Sequence, residues 1–249
     1  MMRLDKFLCE TGFGTRSQVK ALLKKGLVTV NQETVKQPEQ KIDEDRDQVE
    51  CAGKEAVYAP FVYLMLHKPA GVVSATQDRK EQTVLDLIEE PSWKQLFPVG
   101  RLDKDTEGLL LLTNDGELAH QLLSPRKHVD KIYYAKVAGR VTAEHAAKFL
   151  EGLDIGEKRC TLPADLVIQK SGEESEVEIT IREGKYHQIK RMFESIGCQV
   201  TYLKRLRMGT LVLDDTLFAG QYRPLTKEEV YKLKTQAAGE RTGALDEQP

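Results

Sequence analysis

The run Gly100-Arg101-Leu102-Asp103-Lys104-Asp105-Thr106-Glu107-Gly108-Leu109-Leu110-Leu111-Leu112-Thr113-Asn114-Asp115-Gly116 joins a charged loop to an uninterrupted apolar stretch. Four consecutive leucines fit a strand buried on both faces, and Asn114-Asp115-Gly116 fits the turn that closes it. A loop carrying Arg101, Asp103, Asp105 and Glu107 at the mouth of such a strand sets ionisable groups on the rim of a rigid sheet, where active sites are often built. Composition alone reads the same loop as solvated surface charge. Asp105 and Glu107 beside Asp103 raise the further reading of a glycosidase-like carboxylate pair, against the plainer one of acids at a turn or helix start.

Outward from that run, the pattern alternates between strands and helices without regular βαβ spacing. Phe61 to Leu66 and residues 131 to 137, 175 to 182, 200 to 207 and 210 to 213 read as strands. Residues 83 to 90, 117 to 123, 141 to 150 and 188 to 196 read as helices. The expected class is α+β, with a largely antiparallel sheet. Toward the N-terminus, Leu4, Phe7 and Leu8 recur at helical spacing. Ser17 is the expected N-cap of a second helix stopped by Gly26, and Leu27 to Asn31 reads as a strand. A boundary is expected near Tyr58-Ala59-Pro60, giving a small domain over 1–57 and a larger one over 61–236. The polar segment 237–249 reads as a disordered tail.

The chain has 249 residues, 40% of them hydrophobic, enough for a real core. Neither a long apolar span nor a signal-like N-terminus is present, so a cytoplasmic location and no membrane partner are expected. Cys9, Cys51, Cys160 and Cys198 lie far apart, which supports neither a zinc site nor a redox pair. The net charge of -2 conceals segregation. Residues 1 to 30 hold six basic side chains against two acids, and residues 182 to 207 hold seven against two. Local patches of this kind, rather than totals, decide phosphate binding, because charge is screened beyond about 8–10 Å.

Four stretches occur in order: Lys68-Pro69-Ala70-Gly71; the Gly100-Arg101-Leu102-Asp103 run; Lys131-Ile132-Tyr133; and Glu183-Gly184-Lys185-Tyr186-His187-Gln188-Ile189-Lys190-Arg191-Met192-Phe193. Together, over about residues 2 to 235, they resemble the pseudouridine synthases of the RsuA branch, which includes the RluB, RluE and RluF types. The resemblance implies that Asp103 is the essential carboxylate of glycosidic cleavage. It implies that Tyr133 packs on the target base and takes part in removing its carbon-five proton. Lys190 is the implied cation beside Asp103, with Arg191 its competitor. Ile189 is expected beneath the base, Arg101 in the place the flipped nucleotide leaves, and His187 and Gln188 at phosphate or backbone. No cofactor and no metal are implied.

Residues 3 to about 54 resemble the S4-type RNA-binding module of a small-subunit ribosomal protein, through Arg3-Leu4-Asp5-Lys6-Phe7-Leu8, Thr15-Arg16-Ser17 and Gly26 to Asn31. Arg3, Lys6, Arg16, Lys20, Lys24 and Lys25 are its expected phosphate contacts. The Lys190-Arg191-Met192-Phe193 ending and Leu162-Pro163-Ala164 resemble the small-subunit type most, which implies 16S ribosomal RNA and uridine 516 as the target. The partner is then ribosomal RNA, naked or in a subunit precursor, and the chain acts as a monomer. The alternatives are a 23S synthase of the RluB type, a non-catalytic ribosome-assembly factor that kept the fold, and a nucleoside glycosidase.

Overall fold

A computed structural model of the chain describes residues 1–44, 46–56, 61–89, 95–124 and 127–239. The chain divides between Phe61 and Val62 into two compact units. The boundary expected at Tyr58-Ala59-Pro60 lies outside the described residues.

The first unit runs β1 (Met2–Arg3), α1 (Leu4–Glu10), α2 (Arg16–Lys24), β2 (Val28–Val30), β3 (Glu33–Thr34), β4 (Lys41–Ile42), β5 (Val49–Cys51) and β6 (Lys54–Glu55). Leu4, Phe7 and Leu8 of α1 meet Val19 and Leu23 of α2 over the small sheet β3-β2-β5-β6. Thr15, not Ser17, caps α2. Its hydroxyl accepts from the Gln18 amide N–H, and the Gln18 side chain accepts from the Thr15 backbone N–H at 2.8 Å. That reciprocal pairing satisfies two of the free donors at the helix start. Burial of Val19, one turn after Thr15, fixes which residue enters first, a constraint Ser17 does not reveal on its own.

The second unit runs β7 (Tyr63–Lys68), β8 (Phe97–Pro98), β9 (Glu107–Thr113), α3 (Gly116–Leu123), β10 (Lys131–Ala138), α4 (Ala143–Glu151), β11 (Asp165–Lys170), β12 (Glu174–Ile181), α5 (Gln188–Ser195), β13 (Gln199–Met208), β14 (Leu211–Val212), β15 (Tyr222–Pro224) and α6 (Lys227–Ala238). One mixed sheet holds its strands in the order β11-β12-β10-β13-β9-β7-β15, with β14 on β13 and β8 on β9. Among the strands of the described residues in this sheet, the β13–β9 pair alone is parallel. Both faces are covered, which explains the leucine run. Leu110 and Leu112 face one apolar cluster with α4 and α5, and Leu109 and Leu111 face the other with α3 and α6.

At the parallel joint the backbones of Gly108 and Arg205 nearly touch. Gly108 has φ +105°, and a β-carbon there would meet the Arg205 carbonyl oxygen at 2.2 Å. Only glycine fits, so the loop before β9 is held hard against β13.

Two further expectations are corrected. Of 83 to 90, only Val84–Leu87 forms a single 3-10 turn within the described residues, closed by Thr83 and Asp86. Ala237 is buried on α6, where Leu233 and Ala237 join the same apolar cluster, so the helix runs two residues, Ala237 and Ala238, into the segment expected to be disordered. Residues 240–249 lie outside the described residues.

Candidate active site

The loop from Leu102 to Thr106 is held from beneath by a lysine the solvent does not reach. Lys68, at the end of β7, is 0% exposed. Its Nζ donates to the carbonyls of Pro69 at 2.9 Å, Lys104 at 3.2 Å and Thr106 at 2.9 Å. Burial lowers its pKa to about 8 against the opposing pull of Asp105, Asp103 and Glu107. Gly71 N–H donates to the Lys104 carbonyl at 2.7 Å, and Ser74 bonds both the carbonyl and the N–H of Leu102. The Lys68-Pro69-Ala70-Gly71 turn and Ser74 together therefore clamp the backbone on either side of Asp103.

The clamp sets Asp103 on the wall of a cleft of about 900 Å³, near the top of the ~300–1,000 Å³ range of small-ligand sites. Lys190, on the first turn of α5, comes to it: its Nζ lies 3.3 Å from Asp103 Oδ2. The same ammonium sits closer still to Asp105, at 2.6 and 2.8 Å from its two oxygens. Burial alone would lower the Lys190 pKa, but the hydrogen bond to Asp105 and the charges of both aspartates outweigh it and raise the value. For Asp105, desolvation pushes upward and the Lys190 bond and charge pull further down, leaving it below the usual carboxylate range. Lys190 stays cationic, and one cation orients two carboxylates.

Tyr133 lines the same cleft from β10. The β10–β13 register shifts between Ile132 and Tyr133, a bulge that re-aims a side chain, and Tyr133 is buried with its hydroxyl unbonded among the described residues. Ile189 is buried at the cleft's base. Arg101 is exposed on the rim and makes no ion pair among the described residues. Deeper in, Arg205 gives Nε to the Leu109 carbonyl at 2.7 Å, while its buried Nη2 has no partner among the described residues. Lys131 donates to the Val129 carbonyl at 3.0 Å, and burial together with Arg205 brings its pKa down to about 8. In all, seven lysines and arginines line the cleft against three carboxylates. That field favours a polyanion. Among the described residues no group of three His, Cys, Asp or Glu side chains is placed to hold a metal ion.

Comparison with known proteins gives the same assignment. Residues 62–195 match the RNA pseudouridylate synthase model, and residues 2–48 match the S4 domain model. The chain belongs to the RNA pseudouridylate synthase family. It is 45% identical over 93% of its length to an uncharacterized RNA pseudouridine synthase of Bacillus subtilis, covering 98% of that protein. It is 44% identical over 92% of its length to ribosomal small subunit pseudouridine synthase A of Vibrio cholerae, covering 98% of it. A crystal structure of a pseudouridylate synthase, 38% identical, superposes with a TM-score of 0.66 over 94% of this chain and 100% of that one.

As a pseudouridylate synthase the chain is an isomerase acting on RNA, with an S4 domain at its N-terminal end. The expected residues of the site fall into two groups. Asp103, Tyr133, Lys190, Ile189, Arg101, His187 and Gln188 all line the cleft. Gln188 is committed to its own loop: its amide donates to Glu183 Oε1 at 3.0 Å and accepts from the Lys185 N–H at 2.9 Å. Arg191 points elsewhere, to Glu157 at 2.8 Å and to the carbonyls of Tyr186 and Ile155, so Lys190 alone of the two reaches Asp103. In the S4 unit, Arg3 pairs with Asp5 at 2.9 Å and Lys6 with Glu10 at 3.6 Å. Arg16, Lys20, Lys24 and Lys25 are exposed without an ion pair among the described residues, the first three spaced by four along α2. No sequence pattern singled out Asp105 as a second partner of Lys190, nor Lys68 as the clamp; both roles depend on contacts between distant segments.

Proposed function

We propose that this synthase isomerises a uridine of small-subunit ribosomal RNA, uridine 516 of 16S RNA, with Asp103 as its catalytic carboxylate. The observation that carries the chemistry is the Asp103–Lys190 pair at 3.3 Å on the wall of a basic cleft that also holds Tyr133. The substrate assignment is supported by the likeness to ribosomal small subunit synthases at near-complete coverage. In the reaction the N1–C1′ bond breaks, the freed uracil turns, and a C5–C1′ bond forms. The C5 proton leaves and N1 ends protonated, so nothing is added or lost. Asp103 acts on the glycosidic bond, Lys190 orients it through their ion pair, and Tyr133 packs on the ring and helps remove the C5 proton. Arg101 fills the place of the extruded nucleotide, a step costing a few kcal/mol. His187 contacts the RNA backbone, and Arg16, Lys20, Lys24 and Lys25 hold phosphates from the S4 unit.

A single chain is the acting unit in this reading. The cell compartment is the cytoplasm, where ribosomal RNA is made. Pseudouridine mapping on ribosomal RNA before and after adding purified protein tests the reading. One new pseudouridine in 16S RNA supports it. New sites confined to 23S RNA overturn the substrate, and free uracil overturns the reaction class.

A further inference from the structure

Tyr186 is 71% exposed although it belongs to the cleft lining. A lone exposed aromatic needs no explanation, but this one is held by its neighbours on one face. Its ring lies on the His187 imidazole with centroids 3.8 Å apart and planes 17° from parallel. Successive side chains of extended backbone point to opposite faces. Here His187 takes the left-handed conformation, φ +48°, and the two rings stack instead. That backbone state is disfavoured for a residue with a β-carbon, so the surroundings must enforce it. Lys185 Nζ donates to the Arg159 and Cys160 carbonyls at 3.0 Å each, and its backbone N–H donates to Gln188. The Tyr186 carbonyl accepts from Arg191 Nη1 at 3.1 Å. Arg191, absent from the cleft, thus serves the loop that carries the stack.

The inner ring of this column stands next to the chemistry: His187 Nε2 is 3.7 Å from Asp103 Oδ1. The outer ring shows an open face to solvent at the mouth of the same cleft. Its 3.8 Å ring spacing is close to the ~3.4 Å rise of stacked nucleotides. We propose that the outer face of Tyr186 is the stacking platform for an unpaired base flanking the target uridine, extending a base–tyrosine–histidine column that ends at Asp103. Aromatic platforms hold splayed-out RNA bases in this way, and they need a rigid ring more than a hydrogen bond. The subsite takes any nucleobase with an open face, so it fixes how the strand enters the cleft rather than which base enters. It rests on the reading of the cleft as the uridine site.

The test uses the full chain and a 16S RNA fragment containing the modified uridine, with 2-aminopurine at the position on either side in turn. Binding is followed by 2-aminopurine fluorescence on the Asp103→Asn background, where no product forms, and turnover is followed separately with Asp103 intact. At one flanking position the fluorescence is expected to fall on binding. Tyr186→Leu is expected to abolish that quench and to raise KM about 5–150-fold, the range for loss of one base–aromatic stack. Tyr186→Phe is expected to keep both. Quenching that survives in Tyr186→Leu, or a KM within twofold of the parent, overturns the platform. So does a Tyr186→Phe protein as weak as the leucine variant, since the hydroxyl would then be the contact. The fluorescence arm needs no catalysis, so a protein that binds and quenches without forming pseudouridine sinks the isomerase reading and leaves the platform standing.

Discussion

Replacing Lys68 with methionine removes the ammonium that clamps the Asp103 loop while keeping most of the side chain's volume. The carbonyls of Pro69 and Thr106 lose their donor, while that of Lys104 keeps the Gly71 N–H. A group left without a partner costs about 1–3 kcal/mol, so the gross loss for two is roughly 2–6 kcal/mol. Against it stands the cost of burying the charge. Lowering the pKa from 10.5 to about 8 corresponds to about 3 kcal/mol at 1.36 kcal/mol per unit. The net loss at neutral pH is therefore about 1 kcal/mol, within a span of roughly −1 to 3. At ~2–4 °C per kcal/mol for a domain of this size, the thermal midpoint falls by about 2–4 °C. The sign with pH is distinctive. A lysine whose folded pKa lies below its unfolded one binds fewer protons folded than unfolded between pH 8 and 10.5, so its contribution to stability rises through that window. The stability lost in Lys68→Met is thus expected to be larger at pH 10 than at pH 7. Denaturant melts of both proteins at the two pH values measure it. A loss that stays constant, or shrinks as pH rises, refutes the assignment of that burial cost to Lys68.

Other consequences are local. Asp105→Asn removes the nearer carboxylate from Lys190, so the Lys190 pKa falls. The alkaline limb of a kcat–pH profile controlled by that ammonium moves to lower pH, and an unmoved limb counts against the shared pair. Replacing both Lys20 and Lys24 with glutamine weakens RNA binding without sequence preference and reduces the slope of log K against log salt by about 1.5, as expected for two phosphates. A gel-shift series in salt reads this, and an unchanged slope removes α2 from the RNA contact.

What the residues disclosed by themselves follows from how local each signal was. The leucine run of β9, the alternation along β10 and β12, and the helical spacing of α5 each carry their period within one element, and each formed near its expected limits. By contrast, α6 hides because only Leu233 and Ala237 of its twelve residues are buried, which leaves too faint an apolar stripe. The three-residue strand β15 hides because Tyr222-Arg223-Pro224 gains its pairing from β7, not from its own propensity. At the site, Asp103, Tyr133 and Lys190 could be nominated from motif resemblance, but the sharing of Lys190 between Asp103 and Asp105 could not. It is set where β9 and β13 run parallel and α5 crosses the loop, a meeting of segments some 85 residues apart. Lys68 was hidden for the same reason: a lysine in a Pro-Ala-Gly turn looks solvated until the loop it clamps is folded over it.

The most direct measurement is single-turnover pseudouridine formation on 16S RNA by Asp103→Asn, with RNA affinity measured in parallel. The asparagine keeps the size and most of the hydrogen bonding of the carboxylate but has no charge for Lys190 to hold. Affinity within a few-fold of the parent, with pseudouridine formation reduced by more than about 10³-fold, is the expected result. Turnover close to that of the parent would contradict the assignment of Asp103 as the catalytic carboxylate.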